Sequence, residues 1–159
     1  MLEPPCVTII NSLKRPQAKL VNFELLRRIV SAVLKQISAA CNRKLNVCVV
    51  SSTEITRLNE TFLHHKGPTD VITFDYSNDA SPGAISGEIV ICLDEAFLQA
   101  ASFGTTWQSE LVRYVVHGIL HLRGYDDCSL TERRKMRRAE DILMRKLAQD
   151  FDFRKLAVL

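Results

Sequence analysis

The sequence predicts an α/β fold of the α+β kind, one domain over residues 1–159 with a mixed four-stranded sheet, about five helices and a metal site at the end of a helix. Three observations predict it. Short β-branched runs alternate with long stretches of helical period. Two of those runs lie too close together for a parallel crossover, which needs about a dozen residues or more. The stretch "HGILHLRGYDD", His117 to Asp127, sets two histidines one helical turn apart just ahead of a helix-ending glycine.

The elements follow in order. "VTII", Val7 to Ile10, is a β-branched strand stopped by polar residues. Asn22 is placed to cap a helix in which Leu25, Ile29, Val33 and Ile37 recur every four residues beside Leu26, Val30 and Leu34, an amphipathic stripe. "LNVCVV", Leu45 to Val50, is a nearly continuous apolar strand, and "SSTEITRLNETFL" starts a helix around Thr53 and Glu54. Gly67-Pro68 breaks the chain before the strand Val71 to Tyr76, and "SNDASPGAIS" is a turn region leading to the strand that starts at Gly87, so an antiparallel hairpin is expected. Three helices complete the chain, the first stopped by Gly104, the second by Gly124, and the third running from about Ser129 to Phe151.

Length and composition suit one compact domain able to bury a core without staples; 47% of residues are hydrophobic and 25% charged, which argues against disorder and fibrous repeats. Cys6, Cys41, Cys48, Cys92 and Cys128 form no Cys-x-x-Cys pair, which points to a reducing, cytoplasmic setting. Cys48 and Cys92, in apolar runs, read as small buried hydrophobes. No segment approaches the ~20 apolar residues of a membrane span, and the start of the chain has no export pattern, so no membrane association is expected. Charge is uneven: Leu130 to Leu159 holds nine Lys or Arg against five Asp or Glu, whereas the rest holds 12 against 13. The cluster "TERRKMRRAE" suits a polyanionic substrate; the plain alternative is a solvated helix face.

His117 and His121, at i and i+4, project from one helix face. A left-handed Gly124 would turn the chain so that Asp127 approaches the same point, and two imidazoles with a carboxylate suit zinc or another first-row divalent metal. Three protein ligands leave a coordination position open, the mark of a catalytic site; a structural site would need a fourth, for which Cys128 is the adjacent candidate. The plain reading is a pair of hydrogen-bonded polar residues on an apolar helix. His64 and His65, side by side in a loop, face solvent or substrate and stay outside the metal set.

The spacing His117-x-x-x-His121-x-x-Gly124-x-x-Asp127 matches that of the metzincin peptidases, but Gly118 stands where they carry a catalytic Glu. The fuller resemblance is to the YbeY family of bacterial endoribonucleases, with the signature His-Gly-x-Leu-His-Leu-x-Gly-Tyr-Asp-His. His117, Gly118, Leu120, His121, Leu122, Gly124, Tyr125 and Asp126 match it, and Asp127 replaces the last His. "LNETFL", "GPTDVITF" and "GEIVIC" resemble further family segments, so the likeness spans roughly residues 45 to 150.

The resemblance implies a metal-dependent hydrolase domain, one divalent metal, usually zinc, held by His117, His121 and Asp127, and a cleft framed by the segments of Asn59, Thr69 and Asp70. It implies a single-strand-specific endoribonuclease acting in 16S ribosomal RNA 3′-end maturation and ribosome quality control, with ribosomal RNA, small-subunit ribosomal proteins and an assembly GTPase as partners. On that reading Arg133, Arg134, Arg137, Arg138 and Lys66 hold RNA backbone, while no catalytic group beyond the metal set is identified. Leu63 stands where the family has an Arg, which removes a phosphate-holding cation. A non-catalytic RNA-binding assembly factor with a structural metal is therefore the alternative, with a metzincin-like peptidase behind it.

Overall fold

The computed structural model describes residues 3–38, 42–78 and 83–158. The order is β1 (Cys6–Asn11), α1 (Phe23–Ile37), β2 (Arg43–Val50), α2 (Ser52–Leu58), β3 (Val71–Asp75), β4 (Ile85–Cys92), α3 (Leu93–Phe103), α4 (Trp107–Leu122) and α5 (Leu130–Asp150). A π-helical turn, Asn59–Leu63, prolongs α2, and 3-10 turns lie at Gln17–Lys19 and Phe153–Leu156.

The strands form one sheet in the order β1-β2-β4-β3; β1, β2 and β4 run parallel, and β3 pairs antiparallel with β4. The expected hairpin is therefore present, with Val71 opposite Ile91 and Asp75 opposite Gly87. Its connecting turn lies partly outside the described residues. The caps are local chemistry: Asn22 Oδ1 accepts from Leu25 N at 3.0 Å, and Ser51, Thr106 and Ser129 cap α2, α4 and α5 in the same way.

Period-two alternation divides the sheet between two cores. Leu45, Val47, Val49, Ile85, Ile89 and Ile91 face α1, α4 and α5, and Val50, Ile72, Val90 and Cys92 face α2 around Ile55. Each fully buried Leu or Ile contributes roughly 1.5–3 kcal/mol. Cys92 is buried as expected, whereas Cys48 is half-buried, its sulfur 3.3 Å from the Ser12 hydroxyl. Cys41 lies outside the described residues.

α4 is the central helix, apolar nearly all round and enclosed by the sheet, α1, α3 and α5. Its close seat on the sheet requires glycine at two facing positions. A Cβ on Gly118 would come within 2.8 Å of the Ile89 side chain, and one on Gly87 within 2.6 Å of the Phe74 carbonyl oxygen and 2.9 Å of Leu122. Toward its C-terminal end, α4 leaves open the stripe Arg113, His117 and His121 at i, i+4, i+8. Among the described residues, no helix is long and apolar enough to cross a membrane.

Candidate metal centre

The predicted helix stop is a Schellman motif. Gly124 has φ +94°, its N–H donates to the His121 carbonyl at 3.0 Å, and the Tyr125 N–H donates to the Leu120 carbonyl at 3.0 Å. The chain reverses there and brings Asp127 back over the helix end, where the Asp127 N–H donates to Asp126 Oδ1 at 2.7 Å.

The result is a triangle of donor atoms. His117 Nε2 and His121 Nε2 are 3.0 Å apart, and Asp127 Oδ2 is 3.6 Å from each. Tetrahedral zinc, with bonds of roughly 2.0–2.2 Å, needs ligand atoms about 3.3–3.6 Å apart; the two Asp127 distances meet this, and the histidine pair need open by only a few tenths of an ångström, so the donor set suits such an ion. These three residues form a convergent set among the described residues. Cys128 is not in it: its thiol donates to Asp126 Oδ1 at 3.1 Å, and that bond holds it protonated, with its pKa above the ordinary thiol value. Cys128 instead groups with Asp126 and Asp127, outside the two-histidine triangle.

Behind the triangle is a group that no local motif announces. Glu140, on α5 and 23 residues from His117, accepts a 2.6 Å hydrogen bond from His117 Nδ1. The carboxylate is buried, and Arg113 Nη1 lies 3.4 Å from it and 3.1 Å from Asp141. With a proton held on Nδ1 by Glu140, His117 in its neutral form presents a bare Nε2 to the triangle, as metal-binding histidines backed by a carboxylate do. Burial lowers the His117 pKa, but the hydrogen bond to Glu140 and the charges of Glu140, Asp127 and Asp70 outweigh it and hold the pKa above the ordinary value. The sequence signal for Glu140 is an acidic residue inside the apolar stripe of α5, among Met136, Leu143, Met144 and Leu147.

The triangle lies between two open cavities, of about 510 and 370 Å³, that share Asp70, Val71, His117 and Asp127. The larger runs along α4 and α5 past Arg113, Arg133, Met136 and Arg137 to Phe103. The smaller runs along β3 past Thr69, Thr73 and Asp75 to Leu63. Arg133 and Arg137, four apart, therefore face the cleft. Arg134 and Arg138, exposed and one position further round the helix, line neither cavity, nor does Lys66. His64 and His65 are exposed in the loop after the π-helical turn and outside the metal set. That loop is tied down by Asn59, whose buried side-chain amide donates to the Gly67 carbonyl at 3.0 Å. Asp70 is fixed by the N–H of Val71, which donates to its Oδ1 at 2.8 Å.

Fold and site together define an α+β domain with an open two-histidine, one-carboxylate ligand set in a cleft flanked by arginines. The profile of the family described as Endoribonuclease YbeY matches residues 9–148, and the chain belongs to that family. Proteins of that name from Azobacteroides pseudotrichonymphae and Aquifex aeolicus are 35% and 36% identical to it, over 76% and 68% of this chain and 87% and 73% of their own lengths. One from Chlorobium luteolum is 42% identical over 57% of this chain and 64% of its own length. A solution structure of a Thermotoga maritima protein superposes with a TM-score of 0.65 at 27% identity, covering 91% of this chain and 90% of that one.

Proposed function

We propose that this protein is a metal-dependent, single-strand-specific endoribonuclease of ribosomal RNA, acting in maturation of the 16S 3′ end and in ribosome quality control. Zinc is its metal and the cytoplasm its compartment. Small-subunit ribosomal proteins and an assembly GTPase are the partners such a substrate brings with it. The observation that carries this reading is the convergence of His117 Nε2, His121 Nε2 and Asp127 Oδ2 in a cleft faced by Arg133 and Arg137, within a chain of the YbeY family.

In this reading the two imidazoles and the carboxylate hold the ion, and Glu140 fixes the His117 tautomer that makes Nε2 a donor. When bound, the metal supplies a Lewis acid for a phosphodiester oxygen, with a net charge of about +1 after the Asp127 carboxylate is counted. Arg133 and Arg137 hold backbone phosphate along the larger cavity. A peptidase reading lacks its general base, because position 118 is packed against Ile89 and faces the sheet, not the cleft.

A second reading, a non-catalytic RNA-binding assembly factor, is favoured by Leu63: a half-exposed apolar side chain lines the smaller cavity where the family resemblance places an Arg. Cleavage of single-stranded ribosomal RNA, with and without chelator, separates the two. The endonuclease reading expects cleavage that chelator abolishes and divalent metal restores. The factor reading expects RNA binding that survives chelation and no cleavage in either state.

A further inference from the structure

The edge strand β3 has two faces, and the metal cleft uses one. Thr73 and Asp75 line the smaller cavity. On the other face Phe74, half-buried against the second core, is followed by Tyr76, 61% exposed, and neither lines that cavity. The Phe74 and Tyr76 rings stack at 6.5 Å with 11° between their planes, and Phe62, 57% exposed, meets Phe74 edge-on at 5.8 Å. Both ends of this row are held by backbone. The Tyr76 N–H donates to the Ser86 carbonyl at 2.8 Å, and the π-helical turn carrying Phe62 is closed by His64 at φ 57° and by the bond from Asn59 to Gly67.

Three features say what covers this surface. Two of the three large aromatic rings are more than half exposed, apolar area that a fold otherwise hides. The row is continuous with the cleft, because Leu63, the residue after Phe62, lines the cavity that contains His117, His121 and Asp127. The exposed loop that follows carries Lys66, four residues beyond Phe62 in the chain. Exposed aromatic faces continuous with the proposed RNA cleft are the elements of a single-strand stacking platform, on which any base lays its π-face.

We propose that Phe62, Phe74 and Tyr76 form a stacking platform for an unpaired base of the RNA strand where it leaves the metal cleft round the edge of β3. The inference rests on the RNA reading of the site but not on cleavage. A strand held by its phosphates at Arg133 and Arg137 and by a base at Tyr76 is gripped on both sides of the ligand triangle. That grip adds affinity for a single strand and none for duplex RNA, whose bases are already stacked on each other.

The test uses the full-length protein kept metal-free with chelator, so that binding is read without cleavage. The probe is a single-stranded oligoribonucleotide carrying 2-aminopurine at successive positions, whose fluorescence falls when the base stacks on a ring. Tyr76→Leu and Phe62→Leu keep apolar bulk and remove the ring; Tyr76→Phe keeps it. Expected are quenching at a limited set of positions by the parent and by Tyr76→Phe, loss of that quenching in Tyr76→Leu, and single-strand binding roughly 5- to 100-fold weaker for each Leu variant. Duplex RNA binding stays unchanged.

Folding is checked by circular dichroism and thermal melting, and Tyr76→Leu carries the test if Phe62→Leu fails to fold. Unchanged quenching and affinity in a folded Tyr76→Leu would overturn the platform, as would a parent that binds no single strand. So would a concentration-dependent dimer in sedimentation that Tyr76→Leu abolishes, which assigns the face to a second copy of the chain. A parent that stacks RNA but never cleaves it when loaded with metal overturns the nuclease reading and leaves the platform standing.

Discussion

The ligand triangle has two halves built on different principles. His117 and His121 stand on the most enclosed helix of the molecule, four residues apart, with Glu140 and Arg113 behind the first. Asp127 stands on a loop, its side chain 42% exposed, positioned by the reversal at Gly124 and by one bond from its N–H to Asp126. The helix half is set by backbone geometry and core packing; the loop half is set by one glycine conformation and a local turn. The difference teaches where the site tolerates change. On the proposed reading the helix half would fix the position of an ion, and the loop half would decide the charge and shape of its open side.

Breaking the helix half should have the largest effect. His117→Ala and His121→Ala each remove a nitrogen donor from a pair that packing holds in place. Metal affinity should fall by more than about 100-fold, beyond the 10–100-fold typical of changes behind the ligands. Bound-metal content after dialysis against a graded chelator measures it. If both variants, folded, still cleaved RNA at the parent rate, the metal would have no part in the reaction.

Asp127→Ala opens the loop half and should cost about 100-fold or less in metal affinity, the ion remaining on two histidines and solvent. Asp127→His should restore occupancy and leave the ion with its full +2 charge. Full occupancy in Asp127→Ala would remove Asp127 from the ligand set. Glu140→Leu, which deletes the group behind His117 and leaves its Nδ1 unpaired in a buried place, should weaken metal binding by roughly 10–100-fold. Glu140→Gln keeps an acceptor and should lose less; equal losses would mean that the charge, and not the tautomer, is what matters.

Gly124→Ala forces a side chain into a left-handed conformation at φ +94°, a cost of roughly 1–2 kcal/mol. For a domain of this size the melting temperature should fall by about 2–8 °C, read by calorimetry. The smallest effect belongs to the basic helix. Arg133→Ala and Arg137→Ala should each lower the slope of log affinity against log salt for single-stranded RNA by about 1, and Arg134→Ala and Arg138→Ala by much less. Equal slopes for all four would mean that RNA lies across the whole helix surface and not in the cleft.

Local chemistry made much of this legible. The β-branched runs, the Asn22 cap and the stripe of α1 are read from neighbours a few residues apart, and the sheet, hairpin and helices follow them closely. Strand ends shift by one or two residues, and one helix changes character. The helix expected through Leu63 changes to a π-helical turn after Leu58, where Asn59 turns inward to bond Gly67 instead of continuing an exposed face. Within the site, His117, His121 and Asp127 converge as their spacing expects, because a helical repeat and a left-handed glycine are short-range geometry. Glu140 and Arg113 were not found that way. Arg113 stands one turn before His117 on the same face, but nothing local says that it pairs with Glu140, and for Glu140 the readable sign is an acid inside the apolar stripe of α5.

The sequence by itself determined the elements, their caps, the i, i+4 pair and the stop at Gly124, because hydrogen bonds spanning five residues or fewer set these. Tertiary structure alone decided that α5 lies against α4 with Glu140 on His117 Nδ1, that Arg133 and Arg137 face the cleft while Arg134 and Arg138 do not, and that Phe62, Phe74 and Tyr76 form one surface. The contacts that decide these arrangements, His117 with Glu140 and Phe62 with Phe74, join residues 23 and 12 positions apart. Their register comes from how two apolar faces interlock at interior density, a property of the packed pair of elements that neither stretch of sequence holds alone.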